Sequence, residues 1–542
     1  MSSSKKYNLV FLLILLAFAV YAAIFIFRSS FVVGNERYFV LFDDAMISMR
    51  YAKNLADGYG LVWNVGEERV EGYSNPLWVV WMAALHIAPV DDSKISLLVQ
   101  TSGALFIILS LFFVRKIALD ISGSELVGLL SVVLTAFYLP LNNWALLGME
   151  VSLLVLLVCA SVYWFLRILR QGRFSIWPYI LLGIGMLVRV DMAVPYLIGL
   201  IFMVFVDASN RKKHLVWGLG LFVLSLGGQT LFRMVYYGDI LPNTYYLKVT
   251  GYPVHLRIAR GLYALFTFVW DSNWLLCLLP LTLLFFRRNR QVLILFALVL
   301  GQVAYSVYVG GDAWEHRGGS NRYIAVIIPL FFILFTYAAY MLIQSLFNRL
   351  KAKPEQTRMW GNLVLVVFVV VAMISFNFLQ GNIKSLERWL LLRQPMFTVG
   401  SNYYVQIARD IEKITYPEAR IAVVAAGTVP YFTERPAIDM LGKNDSWIAQ
   451  LPAFVNSSFT DLEKFRPGHM KWDYDYSIGE LKPDIVVELW GESKPAQKYI
   501  QVDYVVGGAG GEYYFSLRKD SPNIRWEMVE MCTGECLDKP SD

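Results

Sequence analysis

From Leu9 to about residue 380 the chain alternates long apolar runs with short polar clusters. A helix needs ~20 apolar residues to cross ~30 Å of hydrocarbon. The runs that meet or approach this length predict transmembrane helices at Leu9–Phe27, Ile95–Val114, Leu126–Leu139, Val151–Leu166, Ile176–Leu187, Met192–Val206 and Leu215–Tyr236. Further runs lie within Arg260–Phe286 and at Val292–Val309, Tyr323–Leu346 and Leu363–Phe378. With one span counted in Arg260–Phe286, the pattern predicts about eleven crossings. The run Leu77–Val90 is shorter and reads as an interfacial or re-entrant helix. The N-terminal run follows Lys5 and Lys6 and lacks a clear small-x-small cleavage site, so it reads as a retained helix, with a cleaved signal as the alternative.

Beyond about Gly381 the pattern changes. "NYYVQIARDIEKI" places Tyr404, Ile407, Ile411 and Ile414 at helical spacing. "RIAVVAAGTVPYF", "PAIDML", "PDIVVEL" and "EYYFSLRK" read as strands between turn residues. The sequence therefore divides at residues 1–380 and 381–542: a polytopic α-helical membrane region, with 28–78 as its first external loop, and a C-terminal extracytoplasmic α/β domain of roughly 150 residues.

Composition reinforces the membrane reading. The chain is 57% hydrophobic and 17% charged with a mean hydropathy of +0.49, against about 25% charged residues in an ordinary soluble domain. The net charge of +6 gives no case for nucleic acid as a partner, because the cations fall in short clusters between apolar runs. Those clusters orient the chain. With the N-terminus inside, the inner segments hold Lys5 and Lys6; Arg115 and Lys116; Arg167, Arg170 and Arg173; Arg211, Lys212 and Lys213; Arg287, Arg288 and Arg290; and Arg349, Lys351, Lys353 and Arg358. Everything after Phe378 then lies outside. The expected location is the bacterial plasma (inner) membrane, with the C-terminal domain periplasmic or extracellular.

The outer segments differ in kind, mixing carboxylates, amides, glycines, aromatics and single arginines. Asp43 and Asp44 emerge just beyond the first span and open "AMISMRYAKNLADG", a helix that stops at Gly58. One aspartate could simply cap that helix. The pair also has the chemistry to take a proton from a hydroxyl or to hold a divalent cation, and no other cofactor is suggested. "VRVD" supplies Arg189 and Asp191, either a local ion pair or a guanidinium for a phosphate. "GDILPNTYYLK" supplies Asp239, Asn243 and Lys248, with Gly238 and Pro242 fixing turns. "GGDAWEHRGGSNRY" supplies Asp312, Glu315 and Arg322, without the spacing of a P-loop. In the C-terminal domain "RPGHMKWD" supplies His469 and Asp473 as acceptor-side candidates. Cys159 and Cys277 lie in apolar spans, whereas Cys532 and Cys536 lie in the outer tail, where an oxidising compartment permits a disulfide.

Together these residues suit glycosyl transfer from a polyprenyl-phosphate sugar to a glycan or glycoprotein acceptor at the surface of a lipid bilayer. A carboxylate would deprotonate the acceptor, and cations would offset charge on the leaving phosphate. A lipid-linked glycan flippase is the alternative. It would place charges near the bilayer midplane and often carries internal repeats, whereas here the charges lie at the outer edge and no repeat is visible.

"FDDAMISMRYAKNLADGYGLVWNVGEERVEGYSNPLW", "GDILPNTYYLK", "GGDAWE…NRYIAVIIP", "YFTERPAIDMLGKND" and "PGHMKWD" resemble, in order, blocks of the bacterial GT-C glycosyltransferases, most closely the terminal arabinofuranosyltransferases of arabinan and pilin glycosylation. The resemblance implies a GT-C helical core, an extracytoplasmic C-terminal domain and a decaprenyl- or undecaprenyl-phosphate arabinofuranose donor; a mannosyl-type transferase is the alternative. It carries the paired acidic motif to Asp43 and Asp44, with Asp44 favoured as base, and the glycine-aspartate block to Asp312 and Arg322. The longer spacing between Asp312 and Arg322 departs from the compact motif and leaves the sugar open.

Overall fold

The computed structural model describes residues 3–287, 289–312, 321–349, 354–455 and 461–532. Two compact units are interleaved in sequence. One comprises Met1–Ser29, Gln100–Gln229 and His255–Met396; the other comprises Ser30–Val99, Thr230–Val254 and Phe397–Asp542. Most of the expected C-terminal domain thus shares a unit with the first external loop and with the segment around Asp239–Lys248.

The first unit is helical. Among the described residues, seven helices are long and apolar enough to cross a membrane, or nine if each of two bent pairs is one span. Two expected spans, near Ile176–Leu187 and Met192–Val206, are the helices Trp177–Val188 and Ala193–Val206 of 12 and 14 residues. At 1.5 Å per residue these are roughly 18 and 21 Å long, short of the hydrocarbon thickness, which accounts for the difference from eleven. The expected span Leu126–Leu139 is not one rod. Helices Glu125–Ala136 and Leu139–Leu146 meet at 57°, with Pro140 in the first turn of the second. A break in an apolar surround frees backbone polar groups that must be satisfied internally. Asn377 does this: its Oδ1 accepts from Leu139 N at 2.7 Å and its Nδ2 donates to Phe137 O at 3.1 Å. Trp389 Nε1 adds a second donor to Phe137 O at 2.8 Å. The first helix, Ser3–Ser29, buries Phe18 and Phe25 and exposes Leu12, Leu13, Leu16 and Val20, as a helix with one face on protein and the other on lipid requires.

The second unit opens with a short hairpin, β1 (Phe31–Val33) and β2 (Glu36–Tyr38). The helices Asp43–Ala56 and Pro76–His86 follow, the latter falling in the short run expected to be interfacial or re-entrant. Its sheet is built from β3 (Ile421–Val423), β4 (Ala437–Asp439), β5 (Ile485–Val486), β6 (Tyr504–Gly508), β7 (Tyr514–Arg518) and β8 (Glu530–Met531), in the order β4-β3-β5-β7-β6-β8. The pairings of β3 with β4 and β5 are parallel and the rest antiparallel. Ala422, Ile438, Val486 and Tyr504 bring successive strands to one core with Met440, Tyr474, Ile478 and Ile500. The helix Thr398–Ile414 buries Ile407, Ile411 and Ile414 of the expected stripe, leaves Tyr404 half-buried, and buries Ser401, Val405 and Ala408 as well. The four expected strands are present but shorter, and "TVPYFT" forms a helix, Thr428–Thr433, instead of continuing the first. Cys532 is disulfide-bonded; Cys536 lies outside the described residues.

Candidate active site

In the second unit, β3, β4 and β5 are parallel, and the loops leaving their C-terminal ends collect the candidate chemistry. This is where open α/β sheets commonly present ligand-binding loops. The loop after β3 leads to Gly427 and Thr428. Thr428 donates its backbone N–H (2.8 Å) and its hydroxyl (2.9 Å) to Asp43 Oδ1. Gly427 packs so closely on the Asp43 carbonyl that a Cβ there would collide with it. Neither aspartate is the N-cap of Asp43–Ala56: that position is Phe42, which offers no side-chain bond. Asp43 is instead committed to the loop after β3. Desolvation pushes its carboxyl up to about 6, the two Thr428 donors partly offsetting it.

The loop after β4 meets the second carboxylate. Lys443 Nζ lies 3.3 Å from Asp44 Oδ1, and both side chains remain partly accessible, at 17% and 18%. Asp44 lies in the first turn of its helix, where the macrodipole favours negative charge. Asn243, which opens the helix Asn243–Lys248, donates its amide to the carbonyls of Gly442 (3.0 Å), Lys443 (3.0 Å) and Asp445 (3.2 Å). It thus fixes the loop that carries Lys443.

The segment beyond residue 465 supplies the third wall. A Cβ on Gly468 would meet Lys248 Cγ at 3.0 Å, and Gly468 has a φ of +91°, so the turn both needs a glycine and admits the lysine stem. The His469 imidazole is pushed down to about 4, first by desolvation and then by Lys248, Lys443 and Arg466, with Asp44 opposing. It is therefore neutral near pH 7. Trp490, in the loop after β5, donates its indole N–H to the His469 carbonyl at 2.9 Å.

Two sequence candidates in this unit hold turns. Asp239 Oδ1 accepts from Ile240 N (2.7 Å), Leu241 N (3.3 Å) and the Tyr246 hydroxyl (2.8 Å). Asp473 Oδ1 accepts from Asp475 N (2.9 Å) and Tyr476 N (3.1 Å). Both are side-chain-to-backbone turns of the kind short acidic residues favour.

The first unit holds the arginine candidates. Arg189 donates Nε and Nη2 to Asp191 (2.9 and 3.1 Å) and Nη1 to Glu150 (2.7 Å), and stacks over Tyr323 at 5.1 Å. Arg322 makes a forked pair with Asp312 at 2.7 and 3.1 Å, its own N–H adds a bond to the same carboxylate at 3.1 Å, and its guanidinium lies 5.4 Å from the Trp144 ring centre. Arg260 donates to the carbonyls of Gly310 and Asp312 at 2.9 and 3.1 Å. All five charged side chains of these two clusters, Arg189 with Asp191 and Glu150 and Arg322 with Asp312, are buried. Asp312 and Arg322, taken from one sequence block as separate candidates, are thus in direct contact. Glu315 lies outside the described residues.

Sequence reasoning passed over several partners. Lys443 stood inside the quoted block "DMLGKND", Thr428 inside "AAGTVP" and Glu150 at the end of an outer segment. A lysine or threonine in a loop has no local signature, and only the fold brings it to a carboxylate. The buried pair Glu71–Arg233 was likewise invisible, its members being 162 residues apart. Among the described residues, no group of three or more His, Cys, Asp or Glu side chains is placed to hold a metal ion.

Residues 74–227 match the family profile described as dolichyl-phosphate-mannose-protein mannosyltransferase. Residues 397–523 match a domain of unknown function, DUF8728. No curated protein matches the chain significantly. In structure, the chain is similar to the Archaeoglobus fulgidus oligosaccharyltransferase in complex with Zn and sulfate, with 11% identity, 95% of this chain and 73% of that one covered, and a TM-score of 0.54. It is also similar to AglB from Archaeoglobus fulgidus in complex with an inhibitory peptide and a dolichol-phosphate, with 11% identity, 97% and 75% covered, and a TM-score of 0.51. The chain has the GT-C fold. ArnT from Cupriavidus metallidurans bound to undecaprenyl phosphate overlaps at 12% identity over 78% of this chain and 85% of that one, with a TM-score of 0.49.

Proposed function

We propose that this GT-C protein is a membrane glycosyltransferase that moves a sugar from a polyprenyl-phosphate carrier to a cell-envelope glycan or glycoprotein acceptor. The observation that carries the reading is Asp44: a partly accessible carboxylate at a helix N-terminus, paired with Lys443, in a chain with the GT-C fold. Asp44 takes the proton of the acceptor hydroxyl, the freed oxygen attacks the anomeric carbon, and the bond from that carbon to the phosphate oxygen breaks, releasing the lipid phosphate. Asp43, held by Thr428, builds the site and is not the base. Lys248 is the sequence-derived cation in the same unit as Asp44, and we assign it to the phosphate. For Arg189 or Arg322 to meet a phosphate, each would have to leave a carboxylate.

The charge clusters support a cytoplasmic N-terminus and transfer on the outer face of a bacterial plasma membrane. For the sugar we favour arabinofuranose, on the blocks quoted above. Mannose is the second reading, supported by the family profile over residues 74–227. The test supplies membranes containing the protein with either radiolabelled polyprenyl-phosphate arabinofuranose or radiolabelled polyprenyl-phosphate mannose, plus a host envelope extract. Label entering a larger product from either donor is the expected result and fixes the sugar. Label retained on both carriers would contradict both readings.

A further inference from the structure

We infer that Lys443 is a positioning residue for Asp44, with the loop after β4 and Asn243 serving as its rigid mount. The inference rests on Asp44 being the base of the proposed transfer.

A partly exposed ion pair adds little to stability, so the Asp44–Lys443 pair by itself gives the fold little. Yet the backbone around Lys443 is fixed from several directions. Asp439, at the end of β4, accepts from Leu441 N (3.0 Å), Asn444 N (2.8 Å) and Asn444 Nδ2 (2.8 Å). The buried Asn243 grips three carbonyls of the loop, Lys443's among them. Gly72 also lies so close that a Cβ there would stand 2.8 Å from the Lys443 carbonyl and collide with the Asn444 side chain. Tyr51, on the helix that Asp43 and Asp44 open, gives its hydroxyl to Asn444 Oδ1 at 3.1 Å. Gly442 turns the loop at a φ of +79°. So much backbone fixation behind one flexible side chain limits where its ammonium can go. Functional groups need such support to hold a productive geometry.

The charge around Asp44 gives the ammonium a task. Asp43 lies beside Asp44 on the same helix, and the charge of Asp44 disfavours ionisation of Asp43. His469 faces Asp44 from the third wall but is neutral near pH 7. Lys248 and Arg466 stand around His469. Lys443 supplies positive charge at 3.3 Å. It offsets the second carboxylate so that Asp44 stays ionised, and it holds the Oδ1 side of the carboxylate.

The test is the pH dependence of kcat/KM for wild type, Lys443→Met and Lys443→Arg in membranes, repeated in an Asp43→Asn background so that Asp43 no longer titrates beside Asp44. The amide oxygen of Asn at position 43 can still accept from Thr428. Loss of the cation in Lys443→Met should move the acid limb up by about one pH unit, with transfer recovering above it, and Lys443→Arg should restore the wild-type limb. Should Met at 443 lower the yield of folded protein, Lys443→Gln reads the same limb. An unmoved limb, or a rate lowered equally at every pH, would overturn the inference and leave Lys443 as a binding or structural residue. The base reading fails separately: Asp44→Asn would then transfer like wild type whatever Lys443 does.

Discussion

The two groups of charged candidates differ in how much of each charge is already spent. In the helical unit Arg189 faces two carboxylates and Arg322 faces one in a fork, all buried. Such pairs are closed: every strong donor has its acceptor, and neither charge is easily offered to a substrate. In the mixed unit Asp43 is likewise committed, to Thr428. Asp44 has a lysine at 3.3 Å and keeps part of its surface. Both regions would look equally functional on a count of charged residues. Accessibility and partner geometry separate them: one set is buried in ion pairs, and the other leaves Asp44 partly accessible.

The comparison breaks most readily at Asp44. Asp44→Asn keeps shape and removes the basic oxygen, so transfer should fall by about 10²–10⁴-fold with the folded yield unchanged, as measured by labelled product and by size-exclusion profile. Next in size is the closed pair. Asp312→Asn leaves Arg322 buried without its countercharge and should cost about 3–5 kcal/mol, read as a large loss of thermal stability in detergent. The double change Asp312→Leu with Arg322→Met should recover most of it, because well-packed apolar groups replace buried ion pairs at little cost.

A smaller effect separates the two aspartates by pH. The carboxyl of Asp43 sits near 6 in the fold and near 3.9 when unfolded, so the folded state binds the proton more tightly. Its contribution is therefore fully present below pH ~4 and is lost as pH rises through ~6, a change on the order of 3 kcal/mol. Thermal unfolding of wild type minus that of Asp43→Asn, taken from pH 4 to 7, should show this slope. A flat difference would mean that Thr428 compensates the desolvation. The smallest effect is expected at Asn243. Asn243→Ala frees the carbonyls around Lys443 and should lower kcat by about tenfold while the donor KM changes little.

How much of this was legible in the sequence follows from the range of the forces involved. Hydrophobic runs report the solvent directly, so the membrane class, most spans and the short helix Pro76–His86 could be read from the pattern. The bend near Phe137 could not, because Asn377, which satisfies it, lies some 240 residues away. The β3, β4, β5 and β7 strands were visible as β-branched and aromatic runs, whereas "YVVGG" of β6 was masked by its glycines. At the site, Asp43, Asp44, Asn243, Lys248 and His469 were picked out by residue type and do share a unit. Their roles were not visible. Asp43 looks identical to Asp44 in one dimension, and only the loops after β3 and β4, nearly 400 residues later in the chain, make one a structural acceptor and the other a candidate base.

The central claim is that chemistry belongs to the open carboxylate and not to the closed arginine pairs. It is tested most directly by assaying Asp44→Asn and the Asp312→Leu, Arg322→Met double variant side by side, at equal folded yield and with the same labelled lipid-phosphate donor. Transfer from Asp44→Asn should be lower by about 10²–10⁴-fold, and the double variant should transfer clearly. Transfer retained in Asp44→Asn and abolished in a well-folded double variant would contradict it and move the reacting centre to Asp312 and Arg322.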